Sequence, residues 1–456
     1  MSDSKSRVKD LTVGSPMKLI IGFALPLLGG LLFQQFYSLV DTLIVGQFLG
    51  VKALAGVGST GSINFMIIGF CAGVTNGFAI PISQEFGAKE YSNMRKYFAG
   101  AIYLSIIFAV IMTVVVSILC RDILVWMRTP EDVIGYSYTY ILVIFLGIPA
   151  TYLYNLCSGA IRALGDSKAP VVFLIISSVV NIALDLIFIM AFHMGVFGAA
   201  LATVISQLFS GIISVIYIME KVDVLRIRRD EWNGVTKLII VNLCKMGIPM
   251  GLQYSITAIG SVILQTAVNT LGSTYVAAMT AGSRVLLLFS SPFDALGSTM
   301  ATYGGQNVGA AKPERFNPGM KSACVLGIGY GVIACVVLCL FGGTLTGLFL
   351  EAGTKSRDLV MNLGWEYLVV NSVFYTALVF VNVVRFMIQG MGYSMLAILA
   401  GVMEMIGRSW VAFMFVPKFG FIAACFASPI AWIFADCFLW PCYFYVRKKI
   451  IRMLGR

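Results

Sequence analysis

The stretch EKVDVLRIRRDEWNGVTK, residues 220–237, decides how this chain is organised, because it is the longest polar connection and lies at the middle of the sequence. On both sides of it, short polar segments alternate with apolar runs of about 20 residues, the length at which a helix crosses a bilayer. Six such runs precede the stretch and six follow it. The sequence therefore predicts twelve transmembrane helices arranged as two halves.

The composition agrees with a membrane protein. Of the 456 residues, 59% are hydrophobic and 12% are charged, and the mean hydropathy is +0.90. Soluble proteins carry about 25% charged residues. The fold class is therefore an all-α polytopic membrane protein, and its predicted spans are 17–45, 54–82, 98–120, 135–158, 170–192, 196–219, 238–269, 277–303, 322–347, 362–388, 391–415 and 420–446.

Basic residues indicate the orientation of the spans. Most Lys and Arg of the polar segments share one side if both termini and each connection from an even-numbered span to the next odd-numbered span are cytoplasmic. This distribution explains the net charge of +11 without nucleic-acid binding, and it predicts a multi-pass protein of the inner (plasma) membrane. The predicted organisation is a cytoplasmic tail at 1–16, an N-lobe at 17–219, the linker 220–237, a C-lobe at 238–446 and a basic cytoplasmic tail at 447–456.

The two halves resemble each other in four places along the sequence. LGVKALAG at 49–56 matches LGSTYVAA at 271–278, and QEFGAKE at 84–90 matches QNVGAAK at 306–312. IRALGDS at 161–167 matches IQGMGYS at 388–394, and GVFGAALAT at 195–203 matches GFIAACFAS at 420–428. Repeats with an even number of spans have the same orientation in the membrane, so we expect two parallel six-helix repeats with a central cavity.

A few acidic residues lie inside the predicted spans, where a charge is costly and most often functional. Asp41 in span 1, Asp185 in span 5 and Thr203 in span 6 all lie about 10 Å below the outer surface, at about 1.5 Å per helical residue. Asn181 precedes Asp185 by one helical turn and shares its face. Two carboxylates, an amide and a hydroxyl at one depth predict a proton site or a Na⁺ site, in which Asp41, Asn181 and Asp185 would hold the metal ion.

Other polar or proline residues in the spans are candidates for a substrate cavity or a hinge. Pro26 interrupts the helix that carries Asp41, so a bend there could couple protonation to cavity shape. The cavity candidates are Tyr37, Tyr140, Gln253 and Asp294. Whether the C-lobe acids Asp294, Glu366 and Asp436 take part in transport stays open, whereas Glu404 and Arg408, four residues apart, are expected to form a structural ion pair.

Several kinds of motif are missing from the sequence. It has no GxxxxGK[ST] phosphate loop, no HExxH or His/Cys metal-binding set and no Ser/His/Asp set, and its one histidine is His193. We therefore expect neither an enzyme nor a cofactor beyond the coupling cation.

The ordered set of motifs resembles the multidrug and toxic compound extrusion (MATE) family over about 15–446. PLLGGLLFQQFYSLVDTLIVGQFLGVKALAGVG resembles its first two helices, ISQEFGAKEYSNMRK the loop after helix 2, IRALGDSKAP the turn between helices 4 and 5, NIALDLIFI its fifth helix, and GQNVGAAKPERF the repeated QxxGA loop. An aspartate in helix 1 with NxxxD in helix 5 is similar to the DinF-like branch. There the amino-terminal lobe holds the coupling cation, and Asp41, Asn181, Asp185 and Thr203 fall on the matching positions.

The resemblance implies a MATE/MOP-type fold and a monomer, surrounded by membrane lipids, that exchanges H⁺ or Na⁺ for cationic or amphipathic drugs by alternating access. Another branch of the family uses a glutamate in helix 7 and an aspartate in helix 10, but here span 7 has Gln253 and span 10 has only Glu366 near its mouth. A lipid-linked saccharide flippase of the same superfamily is the alternative, and it would want about fourteen spans and a strongly cationic cavity. An embedded enzyme or a channel is a further alternative, which a catalytic set or unitary currents would reveal.

Overall fold

The computed structural model describes residues 9–127, 129–350 and 356–454. Parts of the predicted tails at 1–16 and 447–456, namely 1–8 and 455–456, lie outside the described residues. Within those three ranges the regular structure is helical and contains no strand. This is the expected outcome for an apolar chain in a bilayer, because a helix satisfies its own backbone hydrogen bonds where no water is available.

The helices account for the predicted spans. In the described residues, ten helices are long and apolar enough to cross a membrane, and two bent pairs of helices bring the number of spans to as many as twelve. The first half contains α1 (Pro16–Leu49), α2 (Val51–Ser59), α3 (Gly61–Gly87), α4 (Tyr91–Ile118), α5 (Cys120–Trp126), α6 (Ile134–Leu146), α7 (Ile148–Ala163), α8 (Lys168–Leu186) and α9 (Gly195–Lys221).

The second half follows the short linker helix α10 (Arg229–Asn233). It contains α11 (Lys237–Asn269), α12 (Ser273–Gly309), α13 (Phe316–Gly347), α14 (Arg357–Val373), α15 (Tyr375–Gly390), α16 (Ser394–Trp410), α17 (Val416–Phe419) and α18 (Phe421–Met453). The basic segment predicted as a separate tail continues α18 as far as Met453.

Two spans are broken at corresponding places in the two halves. The fourth span bends by 48° between α6 and α7, and the tenth bends by 53° between α14 and α15. Pro149 stands at the start of α7 and, lacking an N–H, explains the first break. The second break, at Phe374, has no proline. Single π-helical turns follow α8 (Ile187–Ala191) and α16 (Val411–Phe415), again at equivalent positions of the repeats.

The chain forms two compact units, and the division between them differs from the predicted lobes. Unit 1 contains residues 9–11 and Leu25–Ser255, and unit 2 contains Thr12–Ala24 and the residues from 256 onward. The first part of α1 therefore belongs to unit 2, and the first part of α11 belongs to unit 1. Each of these two long helices contains a proline: Pro26 in α1, next to the residue at which that helix changes unit, and Pro249 in α11, six residues before the change after Ser255.

The linker 220–237 is folded onto unit 1. Glu231 in α10 is buried and pairs with Arg95 of α4, whose Nη2 lies 2.6 Å from the Oε1 of Glu231. Burial alone would raise the pKa of Glu231, but hydrogen bonds from Arg95 and from the backbone N–H of Arg228 outweigh it and hold this pKa below its ordinary value. The polar linker that separates the two halves is thus held against α4 by a buried ion pair.

Candidate functional site

Helices α1 and α8 come close together in unit 1, and each carries one of the predicted carboxyl groups. Gly30 of α1 faces Val171 of α8, and a Cβ atom at Gly30 would lie 2.8 Å from Val171 Cγ2. Only a residue without a side chain permits this approach. The two helices then carry Asp41 and Asp185 on their later turns, and the structure brings these two residues together.

Asp41 and Asp185 form a pair of interacting carboxyl groups. Their side chains are near enough to share a hydrogen bond. Asp185 is fully buried, and Asp41 is half-buried. An ionised carboxylate can only accept hydrogen bonds. Asp41 and Asp185 can therefore form a hydrogen bond with each other only when one of them is protonated and donates its O–H. Neither oxygen of Asp185 nor the Oδ1 of Asp41 has a hydrogen-bond partner among the described residues.

Two tyrosines predicted as cavity residues lie beside this acid pair. Tyr37, one helical turn before Asp41, and Tyr140 of α6 each interact electrostatically with both carboxyl groups. Tyr154 of α7 lies within electrostatic range of Tyr37 and was not predicted from the sequence. These hydroxyl groups give the acid pair polar neighbours in an apolar bundle.

Asn181 and Thr203 differ in the hydrogen bonds that their side chains already make. The amide group of Asn181 is buried on the same helix as Asp185, and neither its oxygen nor its nitrogen has a hydrogen-bond partner in the described part of the chain. Thr203 Oγ1 donates to the carbonyl oxygen of Ala199, 3.2 Å away in its own helix, which leaves its lone pairs free to accept. Across the described ranges, no cluster of three or more His, Cys, Asp or Glu side chains could hold a metal ion. A Na⁺ ion here would therefore depend on amide and hydroxyl oxygens besides the two carboxylates.

The other cavity and hinge candidates lie in α1, α11 and α12. Pro26 is inside α1, next to the residue at which that helix changes unit. Gln253 is buried in the part of α11 that belongs to unit 1. Asp294 belongs to unit 2, where its side chain is exposed and lies within electrostatic range of Arg385.

Unit 2 has its own buried ionic network. Glu404 Oε2 lies 3.6 Å from Arg408 Nη2, which confirms the predicted pair. The sequence did not indicate that Arg385 of α15 contacts Glu404 more directly, through its Nη2. Asp436 of α18 also lies within electrostatic range of Arg385. Glu366 is half-buried in α14.

Arg162 is a further polar residue that the sequence placed in a connection. It belongs to the last turn of α7, where it donates to Ser158 Oγ at 2.7 Å and to Asn76 Oδ1 at 2.9 Å. The only signal in the sequence is Ser158, four residues earlier on the same helix face. The charge is satisfied by neutral partners inside unit 1.

Two repeated halves of six spans, broken helices and an acid pair in one half are typical of a membrane transporter. Residues 26–187 and 249–414, one segment in each half, match the MatE family, so this chain belongs to the MATE family of transporters. The family confirms the fold class and the prediction that the chain is not an enzyme.

Relatives of known name support the same assignment. The probable multidrug resistance protein YoeA of Bacillus subtilis (strain 168) is 29% identical over 355 residues, covering 76% of this chain and 77% of that protein. YpnP, a probable multidrug resistance protein of the same strain, is 28% identical over 368 residues, covering 80% of each. An outward-facing multidrug resistance MATE family transporter of the MOP superfamily has a TM-score of 0.89 at 22% identity over 100% of both chains, a likeness of fold alone.

Proposed function

We propose that this protein is a multidrug efflux antiporter that couples the entry of H⁺ or Na⁺ to the export of organic cations and amphipathic compounds by alternating access. We place it in the plasma (inner) membrane as a monomer with both termini in the cytoplasm. The observation that carries the coupling is the pair of Asp41 and Asp185, in which three oxygen atoms lack hydrogen-bond donors in the described residues. The names of the relatives YoeA and YpnP support the multidrug substrate class.

The acid pair has a physical need for one cation. Two ionised carboxylates about 4 Å apart repel each other by about 4 kcal/mol at an effective dielectric constant of about 20. Burial of Asp185 adds the cost of removing its charge from water. One proton held between the two groups removes the repulsion and supplies the missing donor. The direct contact between the side chains therefore favours H⁺, while a Na⁺ ion would draw on the oxygens of Asn181 and Thr203 as well.

Coupling follows if the cation and the drug compete for this negative charge. A cationic drug would be attracted to the ionised pair, and a cation arriving from outside would weaken that attraction and favour release of the drug. Tyr37 and Tyr140 would orient the acid pair by hydrogen bonding, and Pro26 would allow α1 to bend as the charge changes. Arg162 and its neutral partners lie outside this exchange.

Transport driven by two separate gradients tests the proposal. Purified protein in proteoliposomes would be given ethidium with an imposed pH gradient or with an imposed Na⁺ gradient. We expect one gradient to drive ethidium transport in the wild type, and Asp41→Asn or Asp185→Asn to reduce the driven rate at least tenfold. The matched control is Asp132→Asn, which removes an exposed carboxylate between α5 and α6.

Unchanged driven transport in both acid-pair variants would contradict the coupling assignment, and failure of both gradients in the wild type would contradict antiport. The flippase alternative required about fourteen spans. The described residues offer up to twelve, so no observation favours it.

A further inference from the structure

Unit 2 has a surface groove that the antiport proposal does not use. The groove lies between α18 and the broken tenth span, and it has a volume of about 530 Å³. Its walls are mostly apolar and include the rings of Phe374, Phe380 and Trp440. Phe380 and Trp440 stand edge to face, with ring centroids 5.3 Å apart and planes inclined by 79°. Their π faces are surfaces to which an organic cation binds.

Among the described residues that line this groove, Asp436 is the only charged one. Its Oδ1 atom is buried and has no hydrogen-bond partner in the described parts of the chain. Arg385 lies within electrostatic range of Asp436, but its guanidinium group is in direct contact with Glu404. An acidic residue with one unpartnered oxygen therefore lines an apolar, aromatic groove.

The charge balance around Arg385 leaves Asp436 without a full counter-charge. Three carboxyl groups, those of Glu404, Asp294 and Asp436, interact with this network, and Arg385 and Arg408 are its two guanidinium groups. Both guanidinium groups already contact Glu404. When all five groups are ionised, the network has one surplus negative charge.

One backbone carbonyl group adds to the negative potential of the groove. The break between α14 and α15 also lies there, but the negative end of α14 and the positive end of α15 meet at Phe374 and offset each other. Pro441 in α18 has no N–H group, and the carbonyl oxygen of Cys437 one turn earlier therefore lacks its helical donor. Cys437 and Pro441 both line the groove. Broken helices and freed carbonyl groups are a common way for membrane transporters to hold cations.

We propose that this groove is a second binding site in unit 2 for an amphipathic organic cation, with the cationic head at Asp436 and the aromatic rings around it. The apolar body of the ligand would extend into an adjoining groove of about 670 Å³, which shares Phe380 and Trp440. Lys321 lines that second groove and disfavours the cationic head there. Only the class of ligand rests on the proposed efflux function.

Equilibrium binding of radiolabelled tetraphenylphosphonium to the full chain tests this site. The assay uses purified protein in lipid nanodiscs, in an Asp41→Asn/Asp185→Asn background that removes the acid pair of unit 1. We expect saturable binding to persist in that background and Asp436→Asn to weaken it about tenfold or more, a loss of about 1.4 kcal/mol. Trp440→Leu should weaken binding, and Trp440→Phe should restore most of it because a phenyl ring also presents a π face.

The controls separate a cation site from a lipid site. Asp132→Asn in the same background should leave the affinity unchanged. Triphenylphosphine oxide, a neutral compound of similar shape, should fail to compete. Loss of all binding in the background, equal affinity after Asp436→Asn, or equal competition by the neutral compound would each overturn the proposal. None of these results depends on transport, so they are distinct from failure of the antiport proposal.

Thiol labelling gives a second measurement that does not depend on a variant folding. Cys437 lines the groove and is the one exposed cysteine in the described ranges. Tetraphenylphosphonium should slow the alkylation of Cys437 by N-ethylmaleimide, as followed by peptide mass spectrometry, while the neutral compound should not. An unchanged alkylation rate at saturating tetraphenylphosphonium would contradict occupation of the groove.

Discussion

Replacing Asp185 with asparagine should stabilise the cation-free protein while abolishing coupled transport. The two carboxyl groups are in direct contact and Asp185 is fully buried. Their mutual repulsion, when both are ionised, is about 4 kcal/mol at about 4 Å and an effective dielectric constant of about 20. Asp185→Asn keeps the shape of the side chain and removes this repulsion. A gain in stability with a loss of activity is the expected sign for a strained functional site.

The sign of the effect should depend on pH. As the pH rises, the wild-type pair loses its shared proton, and two ionised carboxylates then repel each other. The variant has no second carboxyl group at this site to ionise, so this repulsion does not arise. In Na⁺-free buffer, the thermal unfolding midpoint of Asp185→Asn should exceed that of the wild type at pH 9 and equal it at pH 5. Ethidium transport by the same variant should fall at least tenfold.

A structural carboxylate in the same unit supplies the control. Asp166 accepts hydrogen bonds from Tyr217 Oη at 2.9 Å and from the backbone N–H of Lys168 at 3.0 Å, at the start of α8. Asp166→Asn should lower the midpoint, because it weakens a helix cap worth about 1 kcal/mol. If Asp185→Asn lowered the midpoint at both pH values as Asp166→Asn does, Asp185 would be a structural partner and the reasoning would be refuted.

Three further perturbations test other parts of the account. Glu231→Gln should weaken the docking of the linker by about 3 kcal/mol, because it leaves Arg95 without its buried partner, and limited trypsin digestion should then cut the linker faster. The pKa of Glu231 is held below its ordinary value in the folded protein. The docking energy is therefore fully present above the unfolded pKa of about 4.3 and is lost only as the pH falls through the lower folded pKa. The rate at which trypsin digests the wild-type linker should thus be constant from pH 8 to pH 5. Pro26→Ala should reduce gradient-driven transport by stiffening α1, and intact transport would contradict its role as a hinge. Gly30→Leu should reduce transport by separating α1 from α8, and a second substitution, Val171→Ala, should recover part of the rate; no recovery would contradict the close approach.

The sequence predicted the fold more fully than the site. Twelve spans and the repeat follow from hydropathy and from matched motifs, because the bilayer fixes both the length and the composition of a spanning helix. Pro149 explains the first break through its missing N–H. The break at Phe374 has no proline. The first part of α1 belongs to unit 2 and the first part of α11 belongs to unit 1, and this assignment depends on tertiary packing, which a local sequence pattern does not predict.

The candidate site shows the same limit. Because Asp41 and Asp185 lie at equal depth in two parallel helices, the sequence predicted that they would be close together. Tyr37 lies one helical turn before Asp41, so its place beside the acid pair was also predicted. Tyr154 was missed because its place beside Tyr37 depends on the rotation of α7 after the bend. The contact of Arg385 with Glu404 depends on the packing of α15 against α16. Which side chains contact each other between helices depends on tertiary packing. A single sequence identifies the residues that could form such contacts but not the pairs that do.

The most direct test of the central claim is the displacement of a cation by drug in solubilised protein. Adding tetraphenylphosphonium to weakly buffered wild-type protein should release about one proton per chain to a pH indicator or, if Na⁺ is the coupling ion, about one bound ²²Na⁺, since one monovalent cation removes the repulsion within the acid pair. Asp41→Asn and Asp185→Asn should release neither. Equal release from the wild type and from both variants would show that Asp41 and Asp185 do not hold the coupling cation.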